Sequence, residues 1–222
     1  MILAGDLAAG AKLNEAKVAE LLGVSRGPVR EAFRALEESG LVRLEKNRGV
    51  FVRQISLKEA DEIYELRATL DEWAGRRVAQ TADLAQISEL RGLVDRMDRA
   101  AAKGDIDAYY PVNLAFHDRL IEYTGNAKLL STYRRLVNEL NLFRRQTLAH
   151  GDALATSTHE HRDIVDKIAA RNSAAAGKAL YEHASASRLR MHRSRGAPTK
   201  EAAQELAVVP SRKKKLAVTA DT

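Results

Sequence analysis

The segment that most constrains the fold is residues 23–52, which read GVSRGPVREAFRALEESGLVRLEKNRGVFV. Gly23 supplies the left-handed conformation that ends one helix, and Ser25 with Pro28 begins the next. The second helix is predicted to end at Gly40. Two helices joined by so short a turn predict a helix–turn–helix, a motif that places the N-terminal residues of its second helix against DNA bases.

A preceding helix is predicted over Lys12–Leu22, with Asn14 as its N-cap. Apolar residues recur at helical spacing in both helices, so the two stripes should face a shared core. Val24 is predicted to fill the angle between the helices. The members of the two stripes are Leu13, Val18, Leu21, Leu22, Val29, Ala32, Phe33 and Leu36.

Basic side chains occupy the opposite face of the second helix, where three arginines are spaced four residues apart. Residues 41–44 and 50–52 alternate like two strands, and residues 46–49 have turn chemistry, which predicts a hairpin wing with a basic tip. The residues predicted to contact DNA are Ser25, Arg26, Arg30, Arg34, Lys46, Arg48 and Gly49.

Arginine can bind guanine or phosphate through two parallel hydrogen bonds. We expect Arg26 and Arg30 to lie near bases, and Arg34, Lys46 and Arg48 nearer phosphates. The alternative is a small helical domain whose arginines form a solvated face. The turn, the proline, the spaced arginines and the basic hairpin follow in the order of a DNA-binding domain, which favours the first interpretation.

Residues 5–52 closely resemble the N-terminal domain of GntR-family bacterial transcription regulators. The segments LNEAKVAELLGVSRGPVREAFRALEESGLV and NRGVFV match the family pattern almost throughout. Members of the family usually carry a further helix before the segment that matches residues 2–5. The resemblance therefore predicts that this chain begins inside or just after that first helix.

Composition excludes several classes of protein. The 222 residues include no cysteine, which excludes disulfides and thiolate metal sites and suits the reducing cytoplasm. No apolar run is long enough for a membrane span, and the N-terminus lacks a signal pattern. The formal net charge of +6 includes the run Arg212–Lys215 in a polar tail. Such a tail is predicted to be disordered, with non-specific DNA binding as the alternative.

The second half has the punctuation of a helical bundle. Helices are predicted from Ser56 to about Gln80 and then over five further stretches, joined by short loops. These are 82–103, 106–124, 128–148, 157–171 and 174–192. The predicted fold is therefore mainly α: a winged helix–turn–helix domain (1–54), an antiparallel bundle of about six helices (55–193) and a basic tail (194–222).

Histidines are the informative residues of the bundle. Asn113 and His117 are four apart and should share a helix face. His161 is in register with apolar neighbours, whereas His159 is rotated about half a turn away, and His183 should also face inward. Three inward imidazoles and an amide oxygen would suit Zn²⁺ or Ni²⁺. The alternative is three partly buried histidines that bond to their neighbours.

Residues 57–192 look like the FCD ligand-binding domain of the FadR branch of the same family. The resemblance is carried by ELRATLDEWAGRRVA, NLAFHDRLIEYTGNAKL and EHRDIVDKIAARNSAAAGKALYEHASASR. It implies a divalent metal held by His117, His161 and His183, with Asn113 where Asp is usual. It also implies a small organic acid as effector, for which the candidate contacts are Arg67, Arg134 and Arg145.

The function predicted from these features is a homodimeric repressor that binds a near-palindromic operator in double-stranded DNA and is released by the acid. One alternative is a metal-dependent hydrolase. Against this alternative, the sequence contains no HExxH motif. The only candidate base, Glu160, should point away from His161 on a helix. Another alternative is an architectural DNA-binding protein that has no ligand.

Overall fold

The computed structural model describes residue 2, residues 6–148 and residues 152–196, with the backbone alone at 141–146 and 195–196. In its N-terminal part, two short helices pack on a three-stranded antiparallel sheet of order β1-β3-β2. The elements are β1 (Lys12–Leu13), α1 (Glu15–Leu22), α2 (Arg26–Glu38), β2 (Val42–Glu45) and β3 (Gly49–Val52). This is the predicted winged helix–turn–helix.

The first helix begins three residues later than predicted. Asn14 is its N-cap, and the side-chain Oδ1 accepts hydrogen bonds from the amides of Ala16 and Lys17 at 2.9 and 3.2 Å. Lys12 and Leu13 are not helical but form β1, paired with β3. The strand was missed because a two-residue segment has too few positions to show an alternating pattern.

The core of the winged domain is smaller than predicted. Ala19, Val29, Phe33, Val42 and Val50 are buried together, and Leu13, Val18 and Leu36 pack against them. The inward positions predicted for four apolar residues are wrong. Leu21 is 76% and Leu22 63% exposed, and Val24 and Ala32 are also exposed. Ala19 is the only buried residue of the eight-residue α1, and its C-terminal leucines face outward.

The second half of the described chain contains six helices, as predicted. They are α3 (Leu57–Thr81), α4 (Leu84–Ala101), α5 (Ile106–Glu122), α6 (Ala127–Leu148), α7 (Ala153–Ala169) and α8 (Ser173–Gly196). The core includes Leu90, Met97, Phe116, Leu120 and Ile164. Helix α8 extends three residues into the predicted tail, and residues 197–222 lie outside the described part.

None of the helices in the described part is long and apolar enough to cross a membrane.

Helices α3 and α8 approach each other closely at two glycines. A Cβ atom at Gly75 would lie 2.8 Å from the carbonyl oxygen of Ala176 and 2.6 Å from a methyl group of Leu180. A Cβ at Gly177 would lie 2.8 Å from the carbonyl oxygen of Glu72. Larger residues at either position would therefore push the two backbones apart.

Replacing Gly75 with alanine should destabilise the protein, because the new methyl group meets backbone atoms of α8. The matched control is Gly92→Ala in α4, where a Cβ meets nothing within 4 Å. Both changes bring the same gain in helix propensity, so their difference isolates packing. We expect the free energy of unfolding of G75A to be about 1–3 kcal/mol lower than that of G92A. Urea titrations followed by circular dichroism measure both values. Equal stabilities would contradict the close approach.

Candidate functional site

The residues predicted to contact DNA are exposed on the winged domain. Ser25 occupies the N-cap position of α2, although its side chain makes no capping hydrogen bond. Arg30 and Arg34 point outward and hold carboxylate partners on the protein surface. Arg30 Nε lies 2.9 Å from an oxygen of Glu15, and Arg34 bonds Glu31 on its own helix at 2.8 Å. The arginine face predicted for α2 is therefore present and accessible.

The wing presents two further cations at its tip. Lys46 and Arg48 are exposed in the turn between β2 and β3. Arg48 bonds Glu45 at 2.5 Å and lies over the ring of Phe51. Gly49 has φ 108°, a conformation that L side chains rarely adopt, so glycine suits the end of this turn. The wing therefore has the basic tip that the sequence predicts.

Three buried histidines meet at the centre of the bundle. His117 (α5), His161 (α7) and His183 (α8) are each at most 3% exposed. The Nε2 atom of His117 lies 3.2 Å from that of His161 and 3.3 Å from that of His183. Around a tetrahedral zinc ion with bonds of about 2.05 Å, nitrogen ligands are separated by about 3.3 Å. The cluster therefore has the spacing of a metal site.

Asn113 is placed one helical turn before His117 and is also buried. Among the described residues its Oδ1 atom has no hydrogen-bond partner. A buried amide oxygen without a partner is costly, and it is an oxygen donor of the kind that divalent ions accept. Asn113 and His183 line the same small cavity of about 20 Å³. The four predicted ligands thus offer three imidazole nitrogens and one amide oxygen that no other described residue bonds.

A carboxylate orients His183 from outside the cluster. Glu160 Oε2 lies 2.7 Å from His183 Nδ1, and both oxygens of Glu160 accept hydrogen bonds from Arg190 at 2.7 and 2.8 Å. Burial lowers the pKa of His183 to about 4, although Glu160 opposes the shift. Burial raises the pKa of Glu160, but the bonds from His183 and Arg190 bring it down to about 2. His183 is thus neutral, the form that binds metals.

Arg67 places a buried positive charge beside the histidines. It is fully buried, as is Asp71, whose carboxylate lies 3.3 Å from its Nε. Its Nε donates to the hydroxyl of Tyr133 at 2.9 Å, and one Nη lies 3.5 Å from His117 Nε2. Burial lowers the pKa of Arg67, but the groups of Tyr133 and Asp71 raise it well above the usual value, so the guanidinium is charged.

A cavity of about 350 Å³ opens between α5 and α6 on one side of His117. Its walls are partly apolar, and Arg134 contributes a cation at its edge. Arg134 is exposed and paired with Asp118 through two bonds of 2.6 and 2.7 Å. The structure therefore brings Arg67 to the histidines and leaves Arg134 at the surface. The side chain of Arg145 lies outside the described part.

Four residues of this centre were missed or left unassigned by sequence reasoning: Asp71, Tyr133, Glu160 and Arg190. Helical register placed Glu160 away from His161, and the structure agrees, but the Glu160 carboxylate reaches His183 on the neighbouring helix. No spacing within one helix predicts such a contact. Since His183 and Arg190 occupy both oxygens of Glu160, this carboxylate is not placed as a general base.

Comparisons with known proteins bear on the family and the fold. Residues 62–186 match the FCD domain family, and residues 1–52 match the family described as bacterial regulatory proteins, gntR family. The uncharacterized HTH-type transcriptional regulator YdhC of Bacillus subtilis (strain 168) is 32% identical over 185 residues, which are 82% of this chain and 82% of that protein.

A second relative is the probable D-xylose utilization operon transcriptional repressor of Paenarthrobacter nicotinovorans. It is 33% identical over 186 residues, which are 83% of this chain and 81% of that protein. Among solved structures, E. coli McbR/YncC superposes with a TM-score of 0.77 over 87% of this chain and 92% of that one. Its sequence identity is 21%, so this likeness supports the fold alone.

Removing Asp71 should destabilise the bundle strongly, because Arg67 would remain buried with its charge uncompensated. The control is the adjacent acidic residue, since Glu72 pairs with Arg76 at the surface. We expect Asp71→Ala to lower the free energy of unfolding by about 3–5 kcal/mol. Glu72→Ala should lower it by less than about 1 kcal/mol. Similar losses in urea titrations of both variants would show that the buried pair is not critical.

Proposed function

Because the chain belongs to the gntR family of bacterial regulatory proteins and carries an FCD domain, we propose that it is a repressor controlled by a small organic acid bound beside a divalent metal ion. Like its relatives, it is a DNA-binding transcriptional regulator and not an enzyme. Repression is proposed because one close relative is named as a repressor. The single observation that carries the regulated function is the buried polar centre between α3, α5, α7 and α8.

The DNA partner is proposed to be a near-palindromic operator read by a homodimer. The N-terminal end of α2 would enter the major groove, with Arg26 and Arg30 near bases. Arg34, Lys46 and Arg48 would bind flanking phosphates. A dimer doubles these contacts, which matters because residues 1–54 hold 9 Lys/Arg against 7 Asp/Glu, a formal net charge of only +2.

The metal is proposed to be held by Asn113, His117, His161 and His183. Two observations support it: the short separations between the imidazole nitrogens, and the buried Asn113 oxygen that has no partner among the described residues. Zn²⁺ and Ni²⁺ suit imidazole ligands. When bound, such an ion would supply a positive centre that attracts a carboxylate. Glu160 would keep His183 in the orientation that presents Nε2 to the ion.

The effector is proposed to be a small organic acid that occupies the cavity beside His117. Its carboxylate would meet Arg67, whose Nη1 atom has no hydrogen-bond partner among the described residues. A buried guanidinium binds a carboxylate more strongly than an exposed one does, because water competes less. Arg134, at the edge of the cavity, and Arg145 are the further candidates for contact with the acid.

Replacing Arg30 with alanine should weaken specific DNA binding, because the change removes a bidentate donor from the base-reading end of α2. We expect a loss of about 1–3 kcal/mol, or roughly 5- to 150-fold, in fluorescence anisotropy titrations with DNA from upstream of its own gene. Arg91→Ala in α4 is the matched control, since it removes an equal charge from an exposed position. Unchanged affinity of R30A would contradict the assignment of α2.

Replacing Asn113 with aspartate should tighten metal binding, because a carboxylate is a stronger oxygen ligand than an amide. In competition with a fluorescent chelator, we expect N113D to bind Zn²⁺ at least about tenfold more tightly than the unaltered protein. His117→Ala should lose Zn²⁺ binding, whereas His159→Ala, which alters an exposed histidine of the same region, should not. If the unaltered protein binds no Zn²⁺ or Ni²⁺, the metal site is refuted and a ligand-independent architectural role gains support.

A further inference from the structure

Asn138 belongs both to the cavity beside the histidines and to the joint with the DNA-binding domain. With Arg134 and Val137 it forms the α6 wall of that cavity. Its side-chain Nδ2 also donates a 2.9 Å hydrogen bond to the carbonyl oxygen of Ser39. Ser39 is the C-cap of α2, the helix that carries the DNA-reading arginines. One amide therefore touches the ligand cavity on one side and the recognition helix on the other.

The joint around this hydrogen bond is closely packed. Gly40 follows Ser39 with φ 78°, and a Cβ there would lie 2.9 Å from Cγ of Glu139. Glu139 has 10% side-chain exposure and lies 3.7 Å from Arg53, which leads out of β3 and also bonds Glu59 at 2.5 Å. Residues 138 and 139 of α6 thus hold the end of the recognition helix and the exit of the sheet together.

The same helix is attached to the buried centre one turn earlier. Tyr133 accepts a hydrogen bond from Arg67, and Arg67 lies 3.5 Å from His117. Tyr133 also lines the cavity. A rotation or translation of α6 caused by an occupant of the cavity would therefore be carried to Ser39 within about one and a half helical turns, because an α-helix moves as a rigid rod over that length.

We propose that Asn138 is a positioning residue that fixes the recognition helix relative to the bundle and releases it when an acid occupies the cavity. The inference rests on the proposed function, since it takes the cavity as the effector site. A carboxylate is a charged acceptor and forms a stronger hydrogen bond than the Ser39 carbonyl oxygen. The amide nitrogen has two N–H groups, so an acid would release Ser39 by drawing the amide toward the cavity rather than by taking its only donor. That movement would favour the released arrangement, so acid binding and operator binding would oppose each other.

The test measures the distance between the DNA-binding domain and the helical bundle, and how widely that distance varies. The chain has no cysteine, so Glu20→Cys in α1 and Arg99→Cys in α4 place two spin labels cleanly, one on each domain. Double electron–electron resonance, on protein diluted with unlabelled chain, gives the distribution of the intrachain distance. The variant is Asn138→Asp, which keeps the size of the side chain, removes the donor and places a carboxylate against the Ser39 carbonyl oxygen. Thr132→Ala, an exposed change in the same helix, is the control.

We expect a narrow distribution in T132A and a broadened or displaced one in N138D. Without added acid, N138D should bind DNA from upstream of its own gene about threefold to tenfold more weakly than T132A, the equivalent of one lost hydrogen bond. A merely structural role would lower the melting temperature and leave the distances unchanged. Identical distributions in N138D and T132A would overturn the role of Asn138, whatever the melting temperatures.

Zn²⁺ affinity, measured on the same variants by chelator competition, separates this inference from the proposed metal site. Asn138 is not among the proposed ligands, so N138D should bind Zn²⁺ as the unaltered protein does. A failure of every variant to bind Zn²⁺ would refute the metal site, and the distance measurement would still decide the role of Asn138. Zn²⁺ binding lost in N138D alone would place Asn138 in the metal site and overturn its assignment as a separate positioning residue.

Discussion

The helical domain is organised around a positive charge that has no access to water. Arg67 is fully buried, and burying an ion costs several kcal/mol unless partners replace its hydration. Asp71 supplies the opposite charge from the same helix, and the hydroxyl of Tyr133 supplies an acceptor from α6. These contacts require α3 and α6 to keep one relative position. The polar centre therefore specifies the arrangement of the bundle, beyond what its apolar residues alone would select.

The charge of Arg67 also determines what the histidines beside it can do. A protonated imidazole 3.5 Å from a guanidinium would be repelled, and burial lowers the pKa of His183 further. His183 is therefore a neutral imidazole close to a fixed cation. Asp71 balances this cation at 3.3 Å, so the buried pair carries no net charge. The Nη1 atom of Arg67, which has no hydrogen-bond partner among the described residues, remains a charged donor, and this agrees with the acid proposed above as effector.

The sequence was most informative where one helix or one turn carries the whole signal. The winged domain, the six bundle helices and the inward register of His161 over His159 follow from spacing within single elements, and the structure confirms them. The partners of the buried centre could not be predicted in this way. Glu160 reaches His183 across 23 residues, and Arg67 reaches Tyr133 across 66. Such contacts depend on how helices cross, which periodicity does not encode. The prediction that Leu21 and Leu22 of α1 face inward was wrong for the same reason.

The proposed DNA-binding face has a property that composition alone does not show, because three of its arginines already have carboxylate partners. Arg30 bonds Glu15, Arg34 bonds Glu31 and Arg48 bonds Glu45, all at the surface. Exposed pairs of this kind contribute about 0–1 kcal/mol, so exchanging a carboxylate for a phosphate or a guanine costs little. The same carboxylates repel DNA phosphates that do not fit. Binding should therefore depend on the position of each guanidinium more than on total charge. Under the role proposed for Asn138, the attachment of α2 to the bundle would then control affinity.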